Sequence, residues 1–74
     1  MTGEESRALR LLADAGRNGC ADAVFTALGF DADVVHGLVR ARLAIATAEH
    51  VHVRGRFVSI VRVTITDAGR KALG

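Results

Sequence analysis

The sequence predicts an α+β fold: three helices, then a two-stranded β-hairpin, then a short C-terminal helix, in one domain spanning residues 1–74. Three observations carry this expectation. Apolar residues recur at helical spacing as far as Leu43. Beyond that point they alternate with polar residues on either side of Gly55, the pattern of two strands and a turn. Thr66 and Asp67 then open a last segment in which acidic and basic residues follow the order that a helix dipole prefers.

Taken in order, Thr2 and Glu5 have the spacing of a capping box, in which each side chain bonds the other's backbone amide. The first helix runs from there to Ala15. Ala8, Leu9, Leu11, Leu12, Ala13 and Ala15 form its apolar stripe, and Arg7, Arg10 and Asp14 lie outside it. Gly16 ends it, and Arg17-Asn18-Gly19 form a turn. The second helix covers Ala21–Leu28, with Cys20 at its start and Asp22 near the positive end of its dipole. Gly29 stops it, and Phe30 packs back on the stop. Asp31 caps the third helix, Asp33 lies in its first turn, and Val34, Val35, Leu38 and Val39 face the core. Gly37 in its middle either lets another helix approach closely or is merely tolerated there. The outgoing strand is Ile45–Val53, with Val51 and Val53 on one face and His50, His52 and Arg54 on the other. Gly55 between Arg54 and Arg56 makes the turn, and the return strand is Phe57–Ile65. Both faces of the hairpin are apolar near its tip, more than a hairpin lying over a helical core requires. Thr66 caps the last helix, Asp67–Leu73.

Composition bounds the function. Half of the residues are apolar, which argues against disorder. With three Phe and neither Trp nor Tyr, the core is made of Ala, Leu, Val and Ile. Cys20 is the sole cysteine, so an internal disulfide and a cysteine zinc site are both excluded. The N-terminal residues lack a signal pattern, and no apolar run approaches the roughly 18 residues of a membrane span. The expectation is a cytoplasmic protein without membrane contact. Nine of the ten basic residues are Arg and Ala is abundant, the usage of a GC-rich bacterial genome. Charge is unevenly placed. Residues 1–39 have three Arg against six carboxylates, whereas residues 40–74 have seven basic groups against two. A basic C-terminal half is either a footprint for phosphate or a solvated surface.

Three motifs carry a family resemblance, and together they cover residues 20–74. Ala27-Leu28-Gly29-Phe30 resembles the turn between the second and third helices of winged helix-turn-helix domains. Leu38 to Ala44 resembles the exit from the third helix into the wing. Val63-Thr64-Ile65-Thr66-Asp67-Ala68-Gly69-Arg70 is similar to the close of the wing in bacterial repressors of the multiple-antibiotic-resistance-regulator type. The resemblance implies a winged helix, and often double-stranded DNA binding, with the third helix in the major groove and the wing on the backbone. Several residues depart from it. The third helix is about one turn short. Its leading positions hold Asp31, Ala32, Asp33, His36 and Gly37, and no Arg, Lys, Asn or Gln precedes Arg40 to read base edges. Arg42 stands where the family has a glycine that permits a left-handed exit.

Two readings of function follow. In the first, Arg40, Arg42, His50, His52, Arg54, Arg56 and Arg62 contact the DNA backbone with low sequence specificity, in a transcription-related module. In the second, the winged-helix core is kept for protein interaction or homodimerisation, through the acidic Asp31 and Asp33 and the apolar Val58 and Ile60. His50 and His52 lie two apart on one strand face and would need a third ligand, His36 or Glu49, to hold a metal; a polar strand face is the simpler account, and no metal or other cofactor is expected. Cys20 reads as a small buried hydrophobe. Ser6, Thr26 and Ser59 have no visible base, the glycines are scattered singly, and no catalytic pair or small-molecule site can be assembled, so an enzyme is not expected.

Overall fold

The computed structural model describes all 74 residues. In chain order the elements are α1 (Gly3–Ala15), a 3₁₀ turn (Gly16–Asn18), β1 (Cys20–Ala21), α2 (Asp22–Ala27), α3 (Ala32–Arg40), β2 (Ala44–Val53), β3 (Arg56–Ile65) and α4 (Asp67–Ala72). The four helices accompany an antiparallel three-stranded sheet in the order β1-β3-β2.

Local chemistry sets the helix ends. The Thr2 backbone N–H donates to Glu5 Oε1 at 2.9 Å, and Glu5 N–H donates to Thr2 Oγ1 at 3.1 Å, which completes the capping box of α1. The bond from the Thr2 backbone, followed by that with its side chain, holds the Glu5 carboxyl below its ordinary range. Because the folded value lies below the unfolded one, this contribution to stability is present at neutral pH and is lost as pH falls through the lowered range. Glu5→Ala should therefore lower the melting temperature at neutral pH, and the gap to the parent chain should close in acid; thermal unfolding followed by circular dichroism across pH checks this.

Helices α2 and α3 end in the same motif. At α2, Phe30 N–H donates to Phe25 O and Gly29 N–H to Thr26 O, with Gly29 at φ +87°, and the Phe30 ring meets that of Phe25 edge-on at 5.8 Å. At α3, Leu43 N–H donates to Leu38 O and Arg42 N–H to Val39 O. Here the left-handed position is filled by Arg42, at φ +62°. The left-handed exit is thus kept without the glycine that makes it free of steric cost. Arg42→Gly relieves that cost but loosens the unfolded chain, and the balance should stabilise the fold by about 0.5 kcal/mol. Chemical denaturation with an unchanged m-value and a raised midpoint is the expected result.

The core is one cluster. Ala8, Leu9 and Leu12 of α1, Phe25 of α2, and Val34, Val35 and Leu38 of α3 close over Ala44 of β2 and Val63 of β3. Leu11, Cys20, Phe30, Val39, Leu43 and Ile65 pack around them, partly buried. Of the apolar residues of α2 only Phe25 is buried; Val24, and Leu28 just after the helix, are exposed. Gly37 makes room for the side chain of α1 closest to it: a Cβ there would stand 2.8 Å from Glu5 Oε2.

Three sequence expectations change. Cys20 does not begin a helix. It pairs with Val63 in β1, and Ala21 pairs with Arg62, so α2 starts only at Asp22. Cys20 is also only half-buried. The hairpin turn is two residues, not three. Arg54 at φ +49° and Gly55 at φ +76° are the positive pair of a type I′ turn, so Val53 faces Arg56, and β3 begins one residue before Phe57. Finally, β2 begins at Ala44, one residue before Ile45.

Candidate nucleic-acid interface

The hairpin leaves the helices behind. The molecule measures 43 × 23 × 20 Å along its principal axes, and all ten residues of β2 pair one-to-one with β3 without a bulge. Directly opposed residues share a face. The inner face therefore carries Ala44, Ala46, Ala48, His50 and His52 beside Ile65, Val63, Val61, Ser59 and Phe57. The outer face carries Ile45, Thr47, Glu49, Val51 and Val53 beside Thr64, Arg62, Ile60, Val58 and Arg56. The helices cover the inner face only near its base, where Ala44 and Val63 are buried. Both faces are uncovered towards the tip, in keeping with the apolar residues found there.

The seven basic or imidazole residues singled out above fall into three groups. Arg54 and Arg56 flank Gly55 at the tip, exposed and without an ion-pair partner. Arg40 is the last residue of α3 and Arg42 lies two residues on, both exposed and likewise unpaired, where β2 leaves the helices. The remaining three are engaged within the fold. Arg62 Nε donates to Glu49 Oε1 across the outer face in the one ion pair of the molecule, and Arg62 Nη1 donates to Asn18 O at 3.1 Å. Arg62 thereby ties the hairpin to the turn after α1. His50 Nδ1 lies 3.1 Å from Ser59 Oγ, and the His52 ring lies 4.9 Å from that of Phe57. Neither His36 nor Glu49 joins these two imidazoles: Glu49 is on the opposite face, His36 belongs to α3, and nowhere do three metal-ligating side chains converge.

The acidic candidates sit elsewhere. Asp31 caps α3 by accepting from Asp33 N–H at 3.2 Å. Asp31 and Asp33 share a shallow depression with Glu4 and Glu5 of the α1 N-terminus, where two positive helix ends offset the four carboxylates. Helix α3 is therefore acidic at its start and basic at its end. Val58 lies on the outer face of the hairpin, 43% exposed, and Ile60 beside it is half-buried.

Sequence reasoning missed one feature. A groove of about 380 Å³ opens where the hairpin parts from the helices. Phe25, Phe30, Val35, Val39, Ala46 and Val61 form its apolar lining, and Asp22, Thr26, Asp31, His36 and Arg40 stand around it. No sequence signal marks it, because its walls come from α2, α3 and both long strands.

No helix is long and apolar enough to cross a membrane. Comparison of the chain with protein-family models, with curated protein sequences and with solved structures finds no match.

Proposed function

We propose that this chain is a winged-helix module that binds double-stranded DNA through the phosphate backbone, in a transcription-related role. The observation that carries the reading is the pair Arg54 and Arg56, unpaired and exposed at the tip of a hairpin that projects beyond the helical core. In this reading β2 and β3 form the wing. Arg40 and Arg42 supply a second set of charges at its base, separated from the tip by the ten residues of β2, or roughly 30 Å at the usual rise of a strand. Two cationic sites at that spacing suit a duplex better than a small anion, because successive phosphates line the same groove edge.

The same features make base reading weak. Before Arg40, helix α3 presents Asp31, Asp33 and His36, none of which pairs bidentately with a guanine or adenine edge in the manner of Arg or Asn. Affinity is then mainly counterion release. With about four phosphates neutralised, binding should fall roughly 100-fold between about 50 and about 200 mM salt, and should differ little between unrelated duplexes. Fluorescence anisotropy of a labelled duplex at both salt concentrations tests this. Absence of binding at the lower salt overturns it.

A second reading, protein interaction, is favoured by a different observation. Phe57 is 78% exposed on the inner face, and Val51, Val53 and Val58 are exposed on the outer face. A hairpin dedicated to phosphates has no need of these side chains.

A further inference from the structure

Contact with phosphates gives Phe57 no role, yet it is the most exposed large apolar side chain of the molecule and directly follows Arg56 at the tip. Its ring is backed on one side. Phe57 pairs with His52 across the ladder, and the His52 ring lies against it at 4.9 Å with 31° between the planes. The backbone beneath is a tight turn closing a ladder without a bulge, so few torsions remain to be fixed when the ring makes a contact. The ring also stands clear of the helices. They meet the inner face at Val61, four residues back along β3, or about 13 Å at the usual strand rise.

The charges around the ring are placed for a groove, not for a flat partner. Phe57 is on the inner face, Arg56 is on the outer face, and Arg54 is in the turn between the strands. A flat partner against the inner face would leave Arg56 pointing away from it. In a groove of a duplex the base edges form the floor and the phosphates stand at the rims. A β-arm lying there with its inner face down sets Phe57 on the floor and leaves Arg54 and Arg56 to the rims. Two residues back on the inner face, the imidazole of His50 and the hydroxyl of Ser59 are able to donate to acceptors on base edges. An apolar side chain brought to the floor in this way can enter between base pairs, unstack them and kink the duplex.

We propose that Phe57 is an apolar wedge, inserted between two base pairs from the minor groove while Arg54 and Arg56 hold the flanking phosphates. The role rests on the reading of the hairpin as a DNA-binding wing, and it adds a bend in the DNA and a choice between duplexes. The arginines set the affinity and its salt dependence. The wedge favours a duplex in which stacking is already weak, because there less unstacking is needed. What it selects is deformability, not base sequence.

Fluorescence anisotropy tests this with two labelled duplexes of one sequence, one fully matched and one with a central T·T mismatch. The parent chain should bind the mismatched duplex about 10-fold more tightly. That ratio should be the same at about 50 and about 200 mM salt, because the ring releases no counterions. Phe57→Ser changes an exposed position outside the core. It should keep the circular dichroism spectrum and the salt slope of the parent chain, and bind the two duplexes equally. In the matched duplex, 2-aminopurine in place of the adenine of a central TA step should brighten on saturation with the parent chain and not with the variant. Absence of binding to either duplex by the parent chain overturns the DNA reading, and the wedge with it. Equal binding of both duplexes by the parent chain, a preference that survives in Phe57→Ser, or 2-aminopurine that stays dim with the parent chain would each overturn the wedge and leave the phosphate contacts standing.

Discussion

Gly69→Ala should unfold this protein or bring it close to unfolding. A Cβ at position 69 would stand 2.2 Å from the Leu43 carbonyl oxygen and 2.7 Å from Ile65 Cγ1. The carbonyl belongs to backbone that cannot move away, because Leu43 O accepts from Thr66 N–H at 3.1 Å and the neighbouring Arg42 O accepts from Thr66 Oγ1 at 2.8 Å. Thr66 Oγ1 accepts in turn from Gly69 N–H at 3.0 Å, which closes a latch between the exit of α3 and the start of α4. Inserting a methyl group into that latch should cost about 3 kcal/mol or more. For a domain of this size the melting temperature then falls by more than about 12 °C. Gly3→Ala is the control, since nothing lies within 4 Å of a Cβ there. Gly19→Ala should resemble Gly69→Ala, because its Cβ would meet Val63 O at 2.0 Å. A fall of less than about 4 °C for Gly69→Ala would mean that the latch is not rigid.

The latch also gives a physical content to the Thr-Asp-Ala-Gly-Arg segment. Thr66 is needed for its hydroxyl, which both donates and accepts, and Gly69 for its lack of a side chain. The segment thereby joins the exit of α3 and the end of β3 to α4.

What was legible in the sequence is what side chains do to their immediate neighbours. Thr2 with Glu5, Asp31 with Asp33, Gly29 with Phe30, and Thr66 with Gly69 are all local bonds or stops, and each appears where the spacing predicts it. Helical and alternating periodicity likewise separated the three helices from the hairpin. The misses are non-local. Strand β1 is two residues long, too short for any alternation, and exists because Gly19 allows the chain to run against Val63. Arg62 reads as a free cation until the register is known. Placing the turn at Arg54-Gly55 makes Ile60 the partner of Glu49, which brings Arg62 to its diagonal on the same face. A three-residue turn would have put them on opposite faces. The strand hydrogen bonds thus decide which arginines remain free: Arg62 is engaged in the ion pair, and Arg54 and Arg56 are not.

Those two free arginines carry the functional account, and reversing their charge should have the largest functional effect. Arg54→Glu with Arg56→Glu removes two phosphate contacts and adds two charges that repel the duplex, so affinity should fall about 50-fold at low salt. The substitutions lie at the exposed tip, outside the core, and should leave the circular dichroism spectrum unchanged. Loss of affinity alone would also follow from a general change in net charge, so the salt dependence is the sharper quantity. For the parent chain and the double variant, the affinity for one labelled duplex is measured across a salt series. If the tip arginines contact phosphates, the slope of log affinity against log salt becomes shallower by about 2 in the variant. If the two slopes coincide, the tip does not touch the duplex and the account is wrong.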